Sequence, residues 1–155
     1  MNKEKKAKEL CNKLDEDMKT VLDNTESYKD TLKVVVMHFG RAMNIYLAIG
    51  KSSTAGKMVE WAGGTIPIEK KGMARITSPE LIAKANPDVI LLTGFGYDRL
   101  GSKEKVKQLP GVTLTNAAKN NRIYRVEAHD LIYFGPRTGE NILQLQELIH
   151  QNTTK

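Results

Sequence analysis

Residues 33–39 read KVVVMHF, and residues 88–93 read DVILLT. Each is a short run of β-branched and apolar side chains that lacks the apolar–polar alternation of a half-wet strand. A strand buried on both faces carries such a continuous run. Both stretches therefore read as parallel-type strands inside a covered sheet. Parallel neighbours need a crossover connection, most often a helix.

The helices lie around these two runs. Ser52, Ser53 and Thr54 offer caps for one that continues through Lys57, Met58, Val59 and Trp61 and stops at Gly63-Gly64. Ser78-Pro79 opens another to Ala85, and Asn86-Pro87 breaks it. Residues 44–49 read as a second short strand ended by Gly50. Past the second run, Gly94-Phe95-Gly96 reads as a loop and residues 102–109 as a short helix halted by Pro110-Gly111. Residues 112–115 and 122–126 read as strands flanking a turn at Lys119-Asn120-Asn121. Pro136 opens a last helix with Ile142, Leu143, Leu145, Leu148 and Ile149 on its apolar face.

Upstream, residues 3–24 form the clearest helix. Ala7, Leu10, Cys11, Leu14, Met18, Val21 and Leu22 recur at spacings of three and four among Lys, Glu and Asp. Such a charged rod with one apolar stripe docks on a neighbour or lies between two bodies. A polar stretch, residues 24–31, follows it. Strands alternating with helices through short loops imply an α/β unit of three layers, with a small, mainly parallel sheet between helices.

The 155 residues suit one domain with its own core. Apolar residues at 40% and charged residues at 27% place the chain among soluble globular proteins. The net charge of +6 raises nucleic-acid binding, but Lys and Arg are spread from Lys3 to Lys155, usually beside Asp or Glu. No arginine-rich tract or aromatic RNA-binding signature accompanies them, which argues against that class. No run reaches the roughly 18–20 apolar residues of a membrane-spanning helix. The opening MNKEKKAKEL lacks the apolar segment of a signal peptide, which taken literally points to the cytoplasm. A start at Met1 placed by cloning would remove any such signal. Cys11 is the lone cysteine and forms no internal disulfide; on the helix stripe it reads as a core or interface residue.

Ligands of an open α/β sheet meet the loops beyond the carboxyl ends of its strands. At the first such end stand His38, Phe39, Gly40, Arg41 and Met43. An imidazole there suits iron, and the ordinary alternative is a histidine satisfied inside the fold. Arg41 has the fork that matches a carboxylate, or it makes a surface salt bridge. A later ordered turn spans residues 133–139, YFGPRTG. Arg137 stands in the first turn of a helix, where the dipole favours acids, so either an anionic ligand or Glu140 is its partner. Neither a GxSxG elbow nor a phosphate-binding glycine loop is present, and His129 and His150 have no metal spacing. The chain reads as a non-enzyme.

The order of segments resembles the second lobe of periplasmic haem-binding proteins of ABC transporters. The resemblance is carried by His38-Phe39-Gly40, Trp61-Ala62-Gly63-Gly64, Ser78-Pro79-Glu80-Leu81 and Asn86-Pro87-Asp88-Val89-Ile90. Leu109-Pro110-Gly111-Val112, Asn120-Asn121-Arg122 and Phe134-Gly135-Pro136-Arg137-Thr138 continue it, over essentially residues 1–150. The AGG and NPDVI pieces are shared with siderophore and cobalamin binders; the FGPRT turn with a strand-end histidine points to haem. The resemblance implies a Rossmann-like C-terminal lobe at residues 31–155, preceded by an interlobe helix and linker at residues 1–30. It implies haem as transported ligand, an inner-membrane permease as partner, and a first lobe outside this chain. The full-length protein is then periplasmic or lipid-anchored to the envelope, and no nucleic acid is involved. His38 would be the axial iron ligand, Arg41 or Arg137 would meet the propionates, and Phe39, Met43, Met73, Phe95 and Tyr97 would supply an apolar wall. Glu60 or Glu69 would dock the permease. Gly72-Met73-Ala74-Arg75 departs from the pattern, because relatives often carry an aromatic residue there. A siderophore or cobalamin binder and a non-ligand-binding interaction domain are the alternative readings.

Overall fold

The computed structural model describes residues 2–151. Met1 and residues 152–155, which the sequence reading includes in the connecting segment and the lobe, lie outside them. The chain runs α1 (Asn2–Ser27), β1 (Leu32–Gly40), β2 (Ile45–Ile49), α2 (Thr54–Trp61), β3 (Gly64–Thr65), β4 (Met73–Arg75), α3 (Pro79–Ala85) and β5 (Val89–Thr93). It continues through α4 (Gly94–Leu100), α5 (Lys103–Lys107), α6 (Asn116–Lys119), β6 (Ile123–Val126), α7 (Ala128–Ile132) and α8 (Thr138–Ile149).

The two apolar runs are the two central strands. β1 and β5 pair in parallel from Val34 opposite Val89 to Met37 opposite Leu92, and all eight of those residues are fully buried. The sheet order is β4-β2-β1-β5-β6, with β3 beside the first residues of β1. β3, β5 and β6 run parallel to their partners, while β2 is antiparallel to β1 and β4 antiparallel to β2. The mainly parallel α/β lobe is thus as expected. β2 reverses because only residues 41–44 separate it from β1, and that length closes a hairpin, not a crossover. Asn44 supplies the left-handed backbone that the turn requires, at φ 51°.

Three local readings are corrected. Gly94-Phe95-Gly96 is the first turn of α4, not a loop. Gly96 is a glycine for packing: a Cβ there would lie 3.2 Å from Phe39 Cβ, 3.2 Å from Tyr46 Cε1 and 3.3 Å from Leu92 Cδ1. Residues 112–114 form a 3₁₀ turn, not a strand, because Gly111 enters it at φ 81° and Thr115 accepts from Ala118 N to start α6. Of that turn only Val112 is buried. The last helix begins at Thr138, not at Pro136, with the Thr138 hydroxyl accepting from Gly135 N at 2.7 Å. The short β3, β4 and α7 carry too few residues for a periodic signal.

Only the second half of α1 docks. Val21 is buried and Met18 packs on the core, whereas Leu10 is 38% exposed and Leu22 is 53% exposed. Cys11 is exposed too and is not a core residue. A polar clasp fixes the docked half. Gln146 on α8 is buried and donates to Val21 O at 2.9 Å, while Asn24 donates to the Gln146 side chain at 3.1 Å. Thr25 donates to Trp61 O at 2.9 Å. Below them the His150 ring stacks on Tyr28 at 3.5 Å, and His150 Nε2 bonds Ala62 O at 2.9 Å. Burial lowers the His150 pKa, the bond to Ala62 opposing it.

Candidate functional site

β1 outruns β5 at its carboxyl end, so the β1–β2 hairpin projects past the sheet. Side chains alternate across a strand, and directly opposed residues share a face. His38 is paired with Leu47, Leu47 with Arg75, and Ile49 with Met73. Hence His38, Leu47, Met73 and Arg75 stand on one face of the hairpin and its edge strand. Gly40 shares it: a Cβ there would lie 3.0 Å from Leu47 Cδ1 and 3.5 Å from Met43 Cε, so Met43 folds over the same face. Arg75 Nη2 points to Met43 Sδ at 3.4 Å.

His38 is half-buried, with Nδ1 2.9 Å from Oγ1 of the buried Thr93 at the end of β5. In the tautomer whose Nδ1–H donates to Thr93 Oγ1, Nε2 carries a lone pair, and Nε2 has no hydrogen-bond partner among the described residues. A second ring nitrogen held in this way is what orients an imidazole toward a metal. Thr93 was not singled out in the sequence, since only the β1–β5 register brings residues 38 and 93 together.

The opposite face carries a different cluster. Phe39 pairs with Tyr46, their rings 4.9 Å apart, and Phe95 of α4 lies 5.8 Å from Phe39. The Arg41 guanidinium sits 3.8 Å above the Phe95 ring and Arg99 sits 4.8 Å above Phe39. Tyr46 donates to Gly96 O at 2.9 Å, and burial pushes its phenol pKa up, with Arg99 opposing. Tyr97 is half-buried against the core. The candidate ligand residues are thereby divided: Met43 and Met73 go with His38, and Phe39, Arg41 and Phe95 lie behind the hairpin.

At the far edge Arg125 pairs with both oxygens of Asp98 at 2.9 Å and with Glu127. Its hydrogen bonds hold the Asp98 carboxyl below the ordinary range and tie α4 to β6.

The FGPR turn is reached from α7, which packs on α2. A Cβ on Gly64 would touch Val59 of α2 and Val34 of β1, and Val34 faces the same way as His38. The turn therefore belongs to the His38 side of the sheet. Residues 129 and 133–138, with Asn141, line a cavity of about 320 Å³ there. Phe134 lies 5.6 Å from Trp61, and Tyr133 is 62% exposed. Arg137 is the exposed cap of α8 and forms no ion pair among the described residues; Glu140 lies near Lys13 instead. Glu60 pairs with Lys57 at 3.2 Å and Glu69 with Lys51 at 3.7 Å, all four exposed. Among the described residues no group of three His, Cys, Asp or Glu is placed to hold a bare metal ion.

The lobe is thus a small, mainly parallel sheet with a half-covered carboxyl edge, led by a long helix that is only half docked. Residues 1–129 match the model of the periplasmic binding protein family, and the chain belongs to that family. It is 30% identical, over 98% of its length, to the uncharacterized ABC transporter substrate-binding lipoprotein YvrC of Bacillus subtilis, covering 47% of that protein. Its fold matches the periplasmic heme-binding protein RhuT of Roseiflexus sp. RS-1 with a TM-score of 0.82 and 22% identity. That match covers 92% of this chain and 55% of RhuT. S. aureus IsdE, solved with heme, matches with a TM-score of 0.73 and 25% identity over 97% of this chain and 60% of its own. The chain thus spans about half the length of these relatives. These are binding proteins, not enzymes, and the reading of a non-enzyme holds.

Proposed function

We propose that this chain is the C-terminal lobe of a haem-capturing solute-binding protein that delivers its ligand to an ABC permease, with His38 as the axial iron ligand. The observation that carries the reading is the His38 Nδ1 contact to buried Thr93, which fixes the ring and leaves Nε2 without a partner among the described residues. The haem named for RhuT and IsdE supports it. Residues 1–30 are then the interlobe helix and linker, whose exposed first half continues toward a first lobe. Kinship with a substrate-binding lipoprotein supports a location at the cell envelope. Glu60 and Glu69 are exposed acids available to a basic permease surface, and Arg137 lies on the His38 side of the sheet. One lobe covers one side of the metal, so its affinity is weak beside that of a two-sided site, which excludes water and holds both ligands beforehand.

Hemin titration followed by absorbance tests this. The native chain shifts the Soret band. His38→Ala abolishes the shift with an unchanged circular dichroism spectrum, and His129→Ala retains it. An unaltered hemin spectrum in folded His38→Ala would remove the assignment and favour a siderophore or cobalamin.

A further inference from the structure

The two halves of α1 differ in burial and in charge. Every residue from Asn2 to Lys13 is exposed, and docking begins at Leu14. A Cβ on Gly139, in the first turn of α8, would lie 3.4 Å from Leu14 Cδ1 and 2.5 Å from Asp17 Cβ. Asp17 thus stands beside Gly139 and Asn24 beside Gln146, so the two helices run in the same direction and α1 overruns the start of α8. A helical segment as short as this overrun is marginal in water by itself. Ala7, Leu10, Cys11 and Leu14 form an apolar stripe along it. Charge is set apart as well: residues 2–13 hold five lysines and two glutamates, and residues 14–27 hold five acids and one lysine. Lys5, Lys6, Asp15 and Glu16 form no ion pair among the described residues.

We infer that two copies of this chain associate through the exposed halves of α1, packed antiparallel about a twofold axis between Leu10 and Cys11. The inference is independent of which ligand the lobe takes. In such a contact residue i meets j and j meets i. Setting Leu10 beside the partner's Cys11 also sets Ala7 beside the partner's Leu14, so the two stripes close on each other. The same register sets Lys5 beside the partner's Glu16 and Lys6 beside the partner's Asp15, twice over. Parallel packing would lay one lysine run along the other, and like charges repel at such spacing. The charge pattern of α1 therefore fits its own antiparallel copy. Two short helix faces cover less than the roughly 800 Å² per partner of a standard interface, so the dimer is a weak one.

Sedimentation velocity of the full chain across a wide concentration range reads the association. The mean mass rises toward that of two chains at high concentration and low salt, and falls back as salt screens the pairs. Lys5→Glu with Lys6→Glu weakens association at least about tenfold, and so does Asp15→Lys with Glu16→Lys, because four attractive contacts become repulsive. Mixing the two variants restores it, since each then faces opposite charge. All four positions are exposed, so circular dichroism stays unchanged. A short bismaleimide reads the geometry. It joins Cys11 of two native chains but leaves Lys3→Cys unlinked in a Cys11→Ser background, whereas a parallel pair would link both. A chain monomeric at every concentration overturns the inference and leaves the stripe to a first lobe. Linking through Lys3→Cys, indifference to the charge changes, or a mixture no more associated than its components overturns it as well.

Discussion

The two faces of the β1–β2 hairpin are built from adjacent residues and serve opposite ends. Behind it, Phe39, Tyr46, Phe95, Arg41 and Arg99 satisfy one another by stacking. In front, His38, Met43, Met73 and Arg75 are half-covered or exposed, and among the described residues their side-chain polar atoms reach only Thr93 and one another. A face whose groups are satisfied internally contributes stability. The front face keeps a half-buried imidazole, two exposed thioethers and a guanidinium without an ion pair among the described residues, and it is the face proposed above to meet the ligand. Neighbours in sequence thus stand in different surroundings, because a strand sends them to opposite sides.

The largest effect that would test this division is Phe39→Ala, which removes a 5% exposed ring from the rear cluster. It costs about 3–5 kcal/mol by urea denaturation, whereas His38→Ala costs less than about 1 kcal/mol, the size of one neutral hydrogen bond. A reversed order of the two would end the division. Gly96→Ala comes next: the added methyl sits 3.2 Å from Phe39 and Tyr46 in a packed site. It lowers stability by about 1–3 kcal/mol and leaves the hemin spectrum of the folded protein alone.

The smallest effect lies at the other end of the lobe, on His150. Its folded pKa lies below the ordinary 6.5 because of burial. The unfolded chain therefore binds more protons there, so the stability His150 gives is present above about pH 6.5 and lost as pH falls through its folded pKa. The melting temperature accordingly declines on acidification below that point, and His150→Gln flattens the decline. If His38→Ala flattened it instead, the pH dependence would belong to the ligand face and the comparison would need redrawing.

Much of this was legible in residues alone. The runs at 33–39 and 88–93 have no polar alternation to give them a wet face, so they could only be central strands. Ser53 caps α2 as expected, and α3 starts at Pro79. His38 was visible as a strand-end imidazole. Thr93 and Arg75 were not, because register alone brings both to the face of His38: residue 93 ends β5 directly beside residue 38 of β1, and residue 75 lies two strands away on the other side. Gly94-Phe95-Gly96 misled because glycine's weak helix propensity is a local quantity. The closeness of Phe39, Tyr46 and Leu92, which leaves room only for glycine, is not.

The amino-acid sequence by itself determined the layered α/β plan, the long amphipathic helix and the histidine at the end of the first strand, since periodicity and capping act over a few residues. Only the tertiary structure decided which of the candidate side chains share a face. Pairing register is set by how the whole sheet buries its two apolar runs, and shifting it by one residue would exchange the front and rear of the hairpin. That is why Arg75, unremarkable in the sequence, stands with His38, and Arg41, three residues from it, does not.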